Sequence, residues 1–212
     1  MKINLLRSKR LVDFDISTIE KGHNKMTYRN IPIRKCPFDY VLYQMLIYQL
    51  MPDLIIEIGT DKGGSTLYLA DILNTLNNGI IHSIDIKAET NELINSNSRI
   101  KLFTEGWENY NINMVRNFNR VLIIEDSTHS YSDTLSILNK FSNSVTIGSY
   151  IIIEDGIIDE LGVTKLYGGG PLKAIKEFLK KNKNFIIDEA YFNFFGKNAT
   201  FNVNGYLKRI NA

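Results

Sequence analysis

Two short segments of this chain carry side chains that could do chemistry together, DSTHSY, which begins at Asp126, and YIIIEDG, which ends in Glu154, Asp155 and Gly156. Each follows or contains an apolar run, so each set of polar groups stands where a buried element stops. Three carboxylates, Asp126, Glu154 and Asp155, brought into a partly dry cleft would repel one another and push their pKa values upward. A bound cation removes that cost. An all-oxygen donor set favours a hard ion, Mg²⁺ or Mn²⁺, over zinc. A two-histidine, one-carboxylate iron site would need a second histidine, and His23 and His82 stand at no matching spacing. By itself His129 reads as a helix cap or an exposed residue; the acids around it make it a chemical candidate.

A second constellation lies in EIGTDKGGST, where Gly59, Gly63 and Gly64 precede a helix predicted from Ser65. Glycines there permit a tight turn and let the backbone approach a ligand. The spacing is GxxxGG, not the GxGxxG of dinucleotide folds. With Glu57 just before the turn and Asp85 at the end of IIHSID, the set reads as a nucleoside site, Asp85 accepting from the ribose hydroxyls. Nicotinamide enzymes place an acid in the same way, so Asp85 alone does not discriminate. The spacing E-x-G-x-x-x-G is similar to motif I of class I S-adenosylmethionine (SAM) methyltransferases. That similarity implies cofactor contacts from Glu57, Gly59, Gly63, Ser65, Asp85 and Asp126. Trp107 fits either the core or the flank of an adenine ring, and we assign it to the core.

The elements that must position these residues are legible as short apolar runs: LIIEI (54–58), IIHSID (80–85), RIKLF (99–103), RVLIIED (120–126), SYIIIED (149–155) and FIID (185–188). Runs apolar on both faces and separated by helix-length intervals predict a parallel sheet covered by helices on both sides. The expected fold is a doubly wound α/β domain with a mostly parallel seven-stranded sheet. ATFNVNGYLKRI alternates and lies near the end, which suits an antiparallel edge strand. PFDYVLYQMLIYQLM has helical spacing behind a leading proline. Ligands of such folds sit beyond the carboxyl ends of the strands, and that is the edge where these acids collect. Residues 1–36 read as an N-terminal arm or cap and 37–212 as the main domain. The long connection 156–170 reads as a lid over a substrate.

Composition narrows the class. The 212 residues are 44% hydrophobic and 23% charged, with a formal net charge of +2. That gives no strong pull toward nucleic acid or an anionic membrane. No apolar run approaches the roughly 20 residues of a membrane span. Cys36 is the one cysteine, so the expectation is a reducing, cytoplasmic setting.

In order, YRNIPIRKCPFDYVLYQ, PDLIIEIGTDKGGSTLYLA, DSTHSY, GSYIIIEDG, GGGPLKAIKEFL and NGYLKRI resemble the cephalosporin hydroxylase family. Despite that name, the family has a SAM-dependent methyltransferase fold and includes enzymes grouped with rhamnosyl O-methyltransferases. The resemblance covers residues 28–210. The D-x-x-H pattern with E-D following 28 residues after its Asp is also similar to metal-dependent macrolide-sugar O-methyltransferases. It implies Asp126, Glu154 and Asp155 as Mg²⁺ (or Mn²⁺) ligands and His129 as general base.

On that reading the chain methylates a hydroxyl of a sugar or another vicinal-diol small molecule. An alcohol with a pKa near that of water, about 16, is barely ionised at pH 7. A cation on two neighbouring oxygens and a histidine of pKa about 6.5 would overcome that. Two other classes are weighed: a nicotinamide-dependent oxidoreductase, disfavoured by the missing GxGxxG, and a non-catalytic assembly module, disfavoured by the intact acids. Tyr167, Tyr191, Phe192 and Phe194 could line an acceptor pocket or pack the core. The resemblance, and apolar residues in the arm, lead to an expected homo-oligomer.

Overall fold

The structure is a computed structural model that describes residues 15–212. The arm residues before Asp15 lie outside the described residues. The chain then forms α1 (Ile16–His23), a small hairpin of β1 (Thr27–Tyr28) and β2 (Ile31–Pro32), and α2 (Pro37–Leu50). An alternating core follows: β3 (Leu54–Ile58), α3 (Gly64–Leu76), β4 (Ile80–Ile84), the single turn α4 (Glu92–Asn95), β5 (Ile100–Phe103) and α5 (Gly106–Asn109). Next come β6 (Val121–Glu125), α6 (Tyr131–Phe141), β7 (Tyr150–Ile153), α7 (Gly170–Lys181), β8 (Phe185–Ile187), α8 (Glu189–Phe192) and β9 (Tyr206–Arg209).

Seven strands form one sheet in the order β5-β4-β3-β6-β7-β9-β8. The first five are mutually parallel, and β9 runs antiparallel to both neighbours. Each of the six apolar runs is therefore a strand. The C-terminal strand is antiparallel, as its alternation implied, but it slots between β7 and β8, so the edge itself is β8.

Why these runs are apolar throughout is visible in the packing. Ile55, Leu122, Ile124 and Ile152 face α2 and α3, with Leu46, Ile47 and Leu69. Their neighbours Ile56, Ile58, Ile123 and Ile151 face α6 and α7, with Ile137, Phe141, Ala174 and Phe178. Side chains alternate across a strand, so a strand covered on both sides has no polar face to offer. Each fully buried isoleucine contributes roughly 1.5–3 kcal/mol. The chain moves outward from β3 to β4 and β5 on one side, then returns to place β6 and β7 on the other. That reversal opens a crevice between the ends of β3 and β6, where open α/β sheets hold their ligands.

Candidate active site

Parallel register decides which residues meet at that crevice. Ile58 pairs with Ile84 on one side and Glu125 on the other, and Glu125 pairs with Ile153. The next residue of each strand, Gly59, Asp85, Asp126 and Glu154, therefore emerges on one line. The backbone carries the ladder one step further: Gly59 N donates to Ile84 O (2.8 Å), Asp126 N to Ile58 O (2.8 Å) and Glu154 N to Glu125 O (2.9 Å). Beyond them lies a cleft of about 940 Å³.

One half of the cleft is the glycine turn. Gly59 holds φ +108, and a Cβ there would sit 1.9 Å from the carbonyl oxygen of Asp126. Only glycine allows the turn and the neighbouring strand end to lie so close. Asp85 Oδ2 accepts from the amides of Thr60 (2.8 Å) and Asp61 (2.9 Å), and its Oδ1 from Lys87 N (2.9 Å). Asp85 thus shapes the turn and also lines the cleft beside Gly59, Gly64 and Ser65. Gly63 caps α3 in the left-handed region at φ 83. Gly64 and Ser65 at this helix start line the cleft, and a helix N-terminus is a favourable place for an anionic group.

Glu57 departs from the expectation. It does not line the cleft. Strand alternation turns it toward α3, where its Oε2 accepts from Thr66 Oγ1 (2.5 Å) and Ser83 Oγ (2.8 Å). Burial raises the pKa of this carboxyl, against the pull of its hydroxyl donors. Its place is beneath the turn, tying β3, β4 and α3 together.

The other half gathers Asp126, His129 and Asp155. One atom from each lies within 4.8 Å of the others. His129 Nε2 is 3.2 Å from Asp155 Oδ2 and 3.9 Å from Asp126 Oδ1. His129 and Asp155 both adopt left-handed backbone, at φ 56 each, a conformation uncommon outside glycine and frequent at functional sites. Burial works against the charge of the imidazole, but Asp155, Asp126, Glu125 and Glu154 outweigh it and raise its pKa. Its Nδ1 is buried without a hydrogen-bond partner among the described residues. Burial also raises Asp126 and Asp155. Two desolvated carboxylates with an imidazole beside them are a set that fits a divalent cation.

Glu154 is not in that group. Alternation along β7 points it toward α2, where it is 4% exposed. It accepts from Lys35 Nζ and from the Tyr43 hydroxyl (2.6 Å). Burial and the nearby Asp126 push its pKa up to about 6, against the attraction of Lys35. The expected ligand pair Glu154 and Asp155 is thus split, with Asp155 facing the cleft and Glu154 facing a lysine. Lys35 also reaches Asp126 Oδ2 (3.0 Å) and is itself 1% exposed. Sequence reasoning missed it. A signal existed: Ile31, Ile33 and Lys35 are buried while Pro32 and Arg34 are exposed, so Lys35 continues an apolar alternation into the interior.

The walls come from both ends of the chain. His23 from α1 and Pro32, Ile33 and Arg34 after it form one side. Ile157, Ile158, Leu161, Val163 and Tyr167 from the 156–170 connection form another. Trp107 lines the cleft too, although it also packs against the core beneath. Among the four aromatics considered, Tyr167 faces the cleft, its ring 6.3 Å from that of His129. Tyr191 and Phe192 pack on the core, and Phe194 is exposed beside Phe195. No helix among the described residues is long and apolar enough to cross a membrane.

A SAM-type glycine turn and an acid–histidine cluster in one cleft of a doubly wound sheet define the class, and comparisons with known proteins agree. Residues 20–210 match the family described as rhamnosyl O-methyltransferase/CmcI. The chain belongs to that family and is a SAM-dependent O-methyltransferase. A rhamnosyl O-methyltransferase of Mycobacterium leprae is 27% identical over 202 residues, covering 88% of this chain and 84% of that protein. An apo structure of CmcI superposes with a TM-score of 0.70 at 19% identity, covering 97% of this chain and 88% of that one. A CmcI structure with Mg and SAM gives 0.65 at 17% identity, with 96% and 88% covered.

Proposed function

We propose that this methyltransferase acts on a hydroxyl of a sugar or another vicinal-diol small molecule, with a divalent cation, Mg²⁺ or Mn²⁺, at Asp126 and Asp155. The observation that carries this reading is the convergence of Asp126, His129 and Asp155 within 4.8 Å, in the same cleft as the glycine turn. The name of the M. leprae relative supports a sugar as acceptor, and the Mg- and SAM-bound CmcI structure supports the cation.

In the proposed reaction the turn at Gly59, Gly63 and Ser65 and the carboxylate of Asp85 hold the nucleoside of SAM. The acceptor oxygen attacks the sulfonium methyl carbon in line. An O–CH₃ bond forms as the S–CH₃ bond breaks, and the bonding pair stays on sulfur to give S-adenosylhomocysteine. The His129 imidazole takes the hydroxyl proton, and Asp155, 3.2 Å from its Nε2, stabilises the resulting imidazolium. Asp126 and Asp155 would hold the cation, which would lower the pKa of the acceptor hydroxyl. Val163, Tyr167 and Ile158 close over the cleft and limit water.

The test is transfer from labelled SAM to rhamnosides and to simple vicinal diols, with Mg²⁺, Mn²⁺ or chelator. Methylation of a diol that stops in chelator supports the reading; undiminished turnover in chelator rejects the cation. A homo-oligomer in the cytoplasm belongs to the same proposal, and a monomer-sized particle in light scattering would remove the first part.

A further inference from the structure

The last turn of α1 is a wall of the cleft that neither the glycine turn nor the acid–histidine group accounts for. Asp15 opens this helix, its carboxylate accepting from Thr18 N (2.8 Å). Ile16 and Ile19 pack it onto Cys36, Ile157, Phe201 and Val203, and Glu20, His23 and Asn24 line the cleft. The His23 ring is held on two sides. Its Nδ1 lies 2.5 Å from the carbonyl oxygen of Glu20, and the ring stands edge-on to Phe201, with centroids 5.2 Å apart. A carbonyl oxygen can only accept, so the proton of the neutral ring sits on Nδ1 and the lone pair on Nε2. No donor among the described residues reaches that nitrogen. Unlike the orphaned nitrogens of His82 and His129, it is not buried. His23 also stands on the reacting side of the cleft: burial raises the Asp155 carboxyl, and His129 and His23 both pull against that rise.

We propose that His23 Nε2 binds the methyl acceptor, taking a hydrogen bond from a hydroxyl other than the one methylated. The inference rests on the reading of the acceptor as a sugar-like, polyhydroxylated molecule, and it names a residue that orients it. The glycine turn and Asp85 take the cofactor side, and His129 and Asp155 take the reacting oxygen. The space left for the rest of the acceptor lies between α1 and the connection that carries Ile158, Leu161 and Tyr167. Those side chains give a largely apolar wall, and His23 adds a fixed lone pair on another. Such a lone pair selects by sign. A hydroxyl can donate to it, whereas an ether or a missing hydroxyl leaves it unpaired. His23 is thus a specificity-determining residue, and it takes no proton in the reaction.

The test has two parts, both on the full chain. Among His23, His82 and His129, the three histidines of the chain, the imidazole nitrogens of His23 are assigned by NMR with His23→Gln as the blank. In wild type at pH 8 they should show the Nδ1–H tautomer, and the Nε2–H tautomer overturns the proposal before any acceptor is added. KM and kcat are then measured for methyl rhamnoside and its monodeoxy analogues in wild type, His23→Phe and His23→Gln, with S-adenosylhomocysteine affinity by calorimetry as the control for folding. His23→Phe keeps a ring against Phe201 but loses the lone pair. Its KM for the rhamnoside should rise about fivefold or more, with kcat within about twofold and S-adenosylhomocysteine affinity unchanged. His23→Gln retains an accepting oxygen and should stay within about threefold of wild type. One monodeoxy analogue should show a KM about fivefold higher in wild type and lose that difference in His23→Phe. An unchanged KM in His23→Phe, an equal loss in both variants, or a fall in kcat alone overturns the role of His23 while leaving the acceptor class intact. If His23→Phe does not fold, the tautomer and the analogues decide, and a wild type indifferent to every deoxy position overturns the proposal. No turnover of the rhamnoside by wild type overturns the sugar reading and the role of His23 together.

Discussion

His129 and Asp155 face each other across the cleft at 3.2 Å, and both hold left-handed backbone. Two segments that are separate in the chain are thus bent toward a single contact. If His129 is the base, His129→Ala should lower turnover by about 10²–10⁴, with SAM affinity by calorimetry unchanged. The pKa of His129 is raised by the carboxylates around it, and the neutral form is the one that accepts a proton. A divalent ion among those carboxylates disfavours the imidazolium. The acidic limb of the kcat/KM profile should therefore move to lower pH as Mg²⁺ is increased, and a limb that stays put would remove His129 from the mechanism.

Asp85 should matter to both the turn and the cofactor. Asp85→Ala removes the acceptor of the Thr60 and Asp61 amides and the proposed ribose contacts. Charge-assisted hydrogen bonds are worth about 1.5–3 kcal/mol each, so affinity for S-adenosylhomocysteine should fall tenfold or more in calorimetry. Unchanged binding would exclude Asp85 from the cofactor site.

Gly59 has no room for a side chain. Gly59→Ala places a methyl 1.9 Å from the Asp126 carbonyl and forces a non-glycine residue to φ +108. We expect at least about 2 kcal/mol of lost stability, read by urea unfolding, with Asp126 displaced in a structure of the variant. A fully stable, active variant would show that the strand ends tolerate separation.

Away from the cleft, His82 gives the fold an acid sensitivity. It is 2% exposed, its Nδ1 is 2.6 Å from the Tyr110 hydroxyl, and its Nε2 is buried without a partner among the described residues. Burial, with Lys101 adding to it, lowers its pKa to about 4. The unfolded chain therefore binds a proton at pH 6.5 that the native one refuses until about pH 4. Stability from the neutral ring is present above pH 6.5 and is lost as pH falls through that window. His82→Phe should remove about 3 kcal/mol of that slope between pH 7 and 4, measured as the pH dependence of urea midpoints against wild type. Parallel curves would refute it.

The strands were legible in the chain because burial on both faces demands mostly apolar residues, and short runs such as LIIEI, separated by helix-length intervals, fit that demand. Counting to the end of each run located Asp85, Asp126 and the Glu154–Asp155 pair, and the spacing of Gly59, Gly63 and Gly64 marked the turn. What only the tertiary structure decided is direction and partnership. Strand order sets β6 against β3 and so brings the Asp126 carbonyl onto Gly59. Side-chain alternation turns Glu57 and Glu154 inward, and left-handed backbone turns Asp155 outward. Lys35 meets Asp126 and Glu154 across 91 and 119 residues of chain. Local spacing carries no trace of such a contact, because a buried charge finds its partner through the packing of the whole domain.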